Sequence, residues 1–145
     1  MHDTPETPAL GFLLRQAYQH WTQQVDSALD KAGYTDIRPS HSNVFAFTPP
    51  EGITVSALTK FAKVRKQSMT QAVEELEKLG YVERRPDPTD RRARLIFLTE
   101  RGQGVRPIAI AAGQQVQAQW AKAMGEQDID ALTLLLQKLV STLQN

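Results

Sequence analysis

Apolar side chains recur at three- and four-residue steps along most of this 145-residue chain, a period that marks it as largely helical. Leu10, Leu13, Leu14, Ala17, Tyr18, Trp21, Val25, Ala28 and Leu29 predict a long amphipathic helix over residues 10 to about 32, with Gly33 as its C-terminal stop. Ser40, just after Pro39, is placed to cap a short helix that runs to about residue 47 and ends before Pro49 and Pro50. Thr54 can cap the next helix, residues 55–62, which turns Val55, Leu58 and Phe61 or Ala62 inward. A short turn at 63–65 leads into a helix over 66–79. Its apolar stripe is Met69, Ala72, Val73, Leu76 and Leu79, and Gly80 ends it.

At this point the period changes. Residues 81–85 have strand character, Pro86-Asp87-Pro88-Thr89-Asp90 is dense in turn formers, and RLIFL at 94–98 predicts a second strand. Thr99 is placed to cap a helix of about 100–124 with Val105, Ile108, Ala112, Val116, Trp120 and Met124 on one side; Pro107 lies inside it and predicts a bend there. Gly125 separates it from a last helix carrying Ile129, Leu132, Leu135, Leu136, Leu139, Val140 and Leu143. The expected fold is mainly α with a small β-wing. A helix-turn-helix and hairpin lobe at 38–99 is framed by long helices at 8–34 and 100–145, in one domain spanning 1–145. The framing segments are more apolar than exposed helices need, which suggests that they pack on each other and on a second copy of the chain. The plainer alternative is that they wrap the core of one monomer.

Composition removes several functions. There is no cysteine, so disulfides, thiolate metal sites, cysteine nucleophiles and thiol-based redox sensing are excluded. The three histidines, His2, His20 and His41, show no metal-binding spacing. No apolar run is long enough to cross a bilayer and MHDTPETPALGFLL lacks the basic start of a secretory signal, so the chain is expected to be cytoplasmic with no membrane partner. No nucleophile sits beside a histidine in a known motif, no glycine loop could cradle a phosphate, and Glu74, Glu75 and Glu77 have the spacing of a solvated helix face. Nothing here calls for an enzyme, a metal or a cofactor.

The formal net charge of +1 conceals an asymmetry. Residues 1–51 carry a net −3, residues 52–104 hold eleven Lys and Arg against seven Asp and Glu for a net +4, and the remainder is neutral. A basic surface confined to the middle of the chain suggests an anionic partner touched at one place.

The residues that could meet such a partner fall in two groups. In the helix over 66–79, Lys66, Gln67, Thr70, Gln71 and Glu74 lie away from the apolar stripe, with Ser68 at its flank, while Lys60, Lys63 and Arg65 crowd the helix start. Gln and Lys suit base edges, Ser and Thr suit phosphates or bases, and a helix N-terminus adds its own positive dipole end. A solvated helix face has the same composition, but this one opens the second helix of a tight helix-turn-helix and precedes a hairpin. In the second group, Arg84, Arg85, Arg91, Arg92 and Arg94 cluster about the hairpin tip with Asp87 and Asp90 among them. An arginine tip fits the minor groove, and Asp90 is placed to hold a neighbouring guanidinium by charge-assisted hydrogen bonds. Asp-Arg pairs of this kind are also common as weak surface salt bridges.

The string LEKLGYVERRPDPTDRRARLIFLTERG closely resembles the MarR-type (multiple antibiotic resistance regulator) winged helix-turn-helix regulators, and RPSHSNVFAF, GITVSALTKFAKV and KQSMTQAVEELE fit the same pattern. The resemblance covers nearly the whole chain and is most specific in DPTDRRARLIFLTERG. It implies a homodimeric, sequence-specific regulator of transcription, most often a repressor, on near-palindromic double-stranded DNA. The recognition helix would be 66–79, Arg92 would enter the minor groove, and the first and last two helices would form the dimer interface. It also implies release by a small amphipathic or aromatic effector, for which Tyr18, Trp21, His41 and Phe45 are the candidate wall residues; the missing cysteines exclude thiol sensing. Where the family commonly has a glycine and then a Ser or Thr cap before the recognition helix, this chain has Lys63 and Arg65, which favours phosphate contacts over base contacts at that end. A winged-helix module for an acidic protein partner, or a non-specific architectural DNA binder, would carry the same basic face.

Overall fold

The computed structural model describes residues 8–144, so His2 and the opening heptapeptide lie outside the described residues. Seven α-helices and one antiparallel hairpin follow in the order α1 (Leu10–Lys31), α2 (Ser42–Phe47), α3 (Val55–Ala62), α4 (Lys66–Lys78), β1 (Val82–Asp87), β2 (Asp90–Leu98), α5 (Glu100–Gln103), α6 (Val105–Met124) and α7 (Glu126–Leu143), with a 3-10 turn at Pro39–His41 before α2. This is a mainly α fold with a two-stranded wing, as the periodicity predicts. Two compact units emerge, residues 26–109 and residues 8–25 with 110–144, and the boundaries fall within α1 and α6. Among the described residues no helix is long and apolar enough to cross a membrane.

In the 26–109 unit, the helix-turn-helix and the wing share one core. Leu58 of α3 and Met69, Ala72, Val73 and Leu76 of α4 are buried with Val44 and Phe45 of α2 and Ile96 of β2. Full burial of each of these side chains larger than alanine stabilises by roughly 1.5–3 kcal/mol. The local signals operate as expected at several ends. Thr54 accepts a hydrogen bond from Ala57 N–H at 3.1 Å to cap α3, Thr99 accepts from Gly102 N–H at 3.2 Å to cap α5, and Gly33 and Gly80 take positive φ values of 97° and 85° where α1 and α4 stop.

Four details differ from the sequence reading. Ser40 does not cap α2: the segment begins as a 3-10 turn with Pro39 first, and the Arg38 N–H is taken up by Nδ1 of His41 at 3.0 Å. Pro39 has no N–H to satisfy, which makes it the natural first residue of that turn. Nor does the long helix over 100–124 bend at Pro107. It breaks earlier, at Gly104, and α6 restarts at Val105, which puts Pro107 in a first turn whose N–H groups need no intrahelical partner. The wing is longer than predicted, because pairing continues past Arg85 to Asp87 opposite Asp90, with only Pro88 and Thr89 between the strands. Finally, Ile53, outside the two strands, bridges antiparallel to β2, donating to the Ile96 carbonyl at 3.1 Å and accepting from its N–H at 2.7 Å.

The joint between α4, the wing and α5 is close-packed backbone. Tyr81 N–H donates to the Leu76 carbonyl at 2.9 Å, and the Tyr81 carbonyl accepts from Thr99 N–H at 3.0 Å. Gly102 is buried against that same carbonyl, so a Cβ there would collide with its oxygen. The Tyr81 side chain is also fully buried. Its hydroxyl donates to Asp36 Oδ1, its ring stacks edge-on against Phe45 with centroids 5.6 Å apart, and the Arg101 guanidinium lies 4.4 Å over it. Arg101 also donates to the Leu79 carbonyl at 2.7 Å and to Asp36 at 3.3 Å.

The unit of residues 8–25 and 110–144 has a narrow core of its own. Trp21 and Trp120 meet edge to face with centroids 5.7 Å apart, Gly113 lies under the Trp21 ring, and Ala112, Val116 and Ile129 are buried. Much of its apolar stripe is left uncovered, including Leu10, Leu13, Leu14, Leu134, Leu135, Leu139 and Leu143.

Two outcomes follow from the Tyr81 joint. Gly102→Ala is expected to cost about 1–3 kcal/mol or more of unfolding free energy, because the collision is with backbone and no rotamer change relieves it; chemical denaturation of the two proteins at equal concentration measures the loss. Burial first, and then the hydrogen bond and charge of Asp36, push the Tyr81 hydroxyl up from 10.0 to about 12. A group whose folded pKa exceeds its unfolded one contributes stability that is full below the unfolded value and fades as pH rises through the folded one. The stability difference between the native protein and Tyr81→Phe should therefore be constant up to about pH 10 and shrink between about pH 10 and 12, as read from denaturation midpoints across that range.

Candidate nucleic-acid interface

Helix α4 buries one face and turns the other to solvent. Lys66, Gln67, Thr70, Gln71 and Glu74 line one shallow concavity on that outer face, and Ser68 is exposed beside it. The helix-period spacing of these residues is what brings them together. At the start of the helix, Lys63 stands in the left-handed region at φ 54°, ψ 40°, a conformation that costs a side-chain-bearing residue about 1–2 kcal/mol. Arg65 occupies the N-cap position in extended backbone and makes no side-chain capping bond. The first N–H groups of α4 thus lack a side-chain acceptor from their cap residue, and Lys63, Arg65 and Lys66 are all exposed around them. A helix end of this kind attracts an anion.

The wing sorts its arginines into two kinds. Arg84 is half-buried, with Nε 3.5 Å from Glu77 Oε1 of α4, and Arg85 pairs with Glu83 while lying 4.4 Å over the Phe97 ring. Both are engaged within the lobe, so Arg84 ties wing to helix. Arg91, Arg92 and Arg94 are exposed, and none of the ion pairs among the described residues involves them. The pairing register explains the position of Arg91 and Arg92. Pro86 faces Arg94 but Asp87 faces Asp90, so residues 91–93 bulge out of the ladder without cross-strand partners.

Asp90 holds this bulge differently from the sequence expectation. Its carboxylate accepts from the backbone N–H of Arg92 at 3.0 Å and not from a guanidinium. The side chain of Asp87 likewise accepts from Thr89 N–H at 2.9 Å and from its hydroxyl at 2.7 Å, and these bonds hold the Asp87 carboxyl below its ordinary range. Two aspartates therefore fix the backbone of the tip, while the arginine heads stay available to a ligand.

The four candidate effector residues separate. Tyr18 and Trp21 line an open apolar groove of about 970 Å³ in the unit of the terminal helices, together with Trp120, Ile129, Leu132 and Leu136. Trp120 donates from Nε1 to Nδ1 of His20 at 3.2 Å. His41 and Phe45 are core residues of the other unit, His41 being only 1% exposed and Phe45 packed on Tyr81.

The surroundings of His41 hold what the sequence reading missed. Its Nδ1 accepts from Arg38 N–H, so the ring proton sits on Nε2, which donates to Glu75 Oε2 at 2.7 Å. The other oxygen of Glu75 accepts from Gln71 Nε2 at 3.1 Å. The hydrogen bond from His41, and then that from Gln71, hold the Glu75 carboxyl below its ordinary range. Glu75 is thus no solvated face residue, and Glu77 is engaged by Arg84. His41 and Glu75 lie 34 positions apart, and nothing local in the sequence joins them.

Comparison with known proteins agrees with this architecture. A model of the MarR family matches residues 35–93. The HTH-type transcriptional regulator YdcH of Bacillus subtilis is 31% identical over 121 residues, which are 81% of this chain and 82% of that protein. The HTH-type transcriptional regulator PetP of Rhodobacter capsulatus is 30% identical over 125 residues, 86% of this chain and 74% of that one. Among solved structures, that of a mutant MarR from E. coli complexed with operator DNA superposes with a TM-score of 0.73 at 26% identity, covering 90% of this chain and 92% of the other. With a relative 31% identical over 81% of this chain, and with α2, α3, α4, β1 and the start of β2 inside the matched segment, the chain belongs to the MarR family of HTH-type transcriptional regulators.

Proposed function

We propose that this regulator works as a homodimer and a sequence-specific repressor on near-palindromic double-stranded DNA. The observation that carries the reading is the pairing of an uncapped, cation-rich start of α4 with a wing tip whose exposed arginines enter none of the ion pairs among the described residues. A helix with such a face fits the major groove and an arginine tip fits the minor groove beside it. The operator complex of the E. coli relative supports the same assignment. In this reading Lys63, Arg65 and Lys66 anchor phosphates, Gln67, Ser68, Thr70 and Gln71 face the bases, and Arg91, Arg92 and Arg94 act from the wing. Arg84 and Asp90 support them from behind, through Glu77 and the Arg92 backbone.

The chain would act as one functional domain, with 38–99 as the DNA-binding lobe and 8–34 and 100–145 as dimer helices. The uncovered leucines of α1 and α7 support self-association, since an apolar stripe of that length is unusual on a free monomer. A small amphipathic effector is part of the proposal. Tyr18 and Trp21 are its best-placed contacts, because His41 and Phe45 already have their partners inside the core.

Selection of bound fragments from genomic DNA should enrich one near-palindromic sequence; no enrichment would favour an architectural or protein-binding role. On the selected site, Arg92→Ala is expected to weaken binding by about tenfold or more with an unchanged unfolding midpoint. Unchanged affinity in an anisotropy titration would remove the wing from the mechanism. Binding should also weaken steeply with salt, since several phosphates are neutralised at once, and a near-flat dependence would count against DNA as the partner.

A further inference from the structure

Gln71 stands on the outer face of α4, yet its side chain is tied from behind. Arg38 N–H, the His41 ring, the Glu75 carboxylate and the Gln71 amide form one chain of hydrogen bonds, at 3.0, 2.7 and 3.1 Å. Each link has a fixed direction. The backbone N–H of Arg38 can only donate, so Nδ1 of the ring is an acceptor and Nε2 carries the proton to Glu75. An ionised carboxylate can only accept, so the Gln71 amide must turn its NH2 toward Glu75, and the flipped amide would set oxygen against oxygen. The buried histidine, 1% exposed, thereby holds in place the carboxylate that sets which way an exposed glutamine points.

One N–H of Gln71 is consumed by Glu75. Its carbonyl oxygen and its second N–H remain, an acceptor and a donor side by side. That pair complements the N6 amino group and N7 of adenine in the major groove, whereas guanine offers two acceptors there. A glutamine fixed in advance also loses less rotamer freedom when it docks.

We propose, resting on the DNA-binding reading above, that Glu75 and His41 are positioning residues that lock Gln71 for recognition of an adenine. Neither touches the base. Their effect is on which base is preferred, while the phosphate contacts at the start of α4 set how tightly any sequence is held.

The test uses the full chain and a randomised duplex pool, followed by titrations on the selected site and on single base-pair changes of it. The native protein should require adenine at one position in each half-site, and Gln71→Ala should abolish that preference. Glu75→Ala should reduce the same preference by about tenfold at that position alone. Glu75→Gln keeps an acceptor for His41 and so preserves the core, but it offers an amide N–H to Gln71. It should turn the Gln71 amide over and move the preference from adenine toward guanine. Glu51→Ala removes an exposed acid outside this face without touching the chain of bonds, and should leave base preference unchanged. In the Gln71→Ala background, Glu75→Gln should have no effect on base preference.

The inference fails if both Glu75 substitutions leave base preference unchanged, or if they alter preference without Gln71. It also fails if the adenine is absent from the selected site. A native protein that selects no site at all would overturn the DNA-binding reading itself, a result distinct from a selected site that ignores Glu75.

Discussion

Tyr81 is held through every group it has: its N–H by Leu76, its carbonyl by Thr99, its hydroxyl by Asp36, and its ring between Phe45 and the Arg101 guanidinium. It sits at the end of α4 and the start of β1, where the helix hands over to the hairpin. A loose hinge here would let the outer face of α4 and the arginine tip move independently, and neither alone would present a defined surface. The close contact with Gly102 adds that α5 can follow only if no side chain intervenes. Thr99, which donates its N–H to Tyr81 and accepts from Gly102, links the return of the wing to the same point.

Against that rigid joint, the start of α4 is built less stably than it could be. Glycine at position 63 would relieve the left-handed strain, and a Ser or Asp at 65 would satisfy a helix N–H, a gain of about 0.5–2 kcal/mol. Two cations stand there instead. Sites that contradict local preference in this way are commonly functional, because the stability given up is recovered in binding.

Most helices were legible in the sequence because their signals are local. Thr54, Thr99, Gly33 and Gly80 act within one turn of where they stand, and the stripe of α4 needs nothing beyond its own period. Several of the differences arise from contacts that no local window contains. Ile53 joins Ile96 across 43 positions from a segment too short to alternate, and the length of the wing is set by pairing, while turn residues only limit it. Pro107 misled because a proline inside an apolar run looks the same whether the helix starts before it or at it; the break at Gly104 decided the matter. For the candidate site, the exposed basic residues were legible from composition and order. The bond from His41 to Glu75 was not, since both residues taken singly have ordinary explanations, a core histidine and a solvated acid. Asp90 was recognised as a fastener, but the group it fastens, a backbone N–H, leaves no trace in the side-chain pattern.

The bulge at residues 91–93 leaves the pairs from Val82 with Leu98 to Pro86 with Arg94 in unbroken register beneath it. A residue inserted or deleted in the bulge would change how far the tip extends without sliding any of those pairs. Duplicated copies of such a chain could therefore diverge in wing length with no compensating change in the core. The tip is a part of this protein that evolution can lengthen or shorten without disturbing the pairs that hold the hairpin.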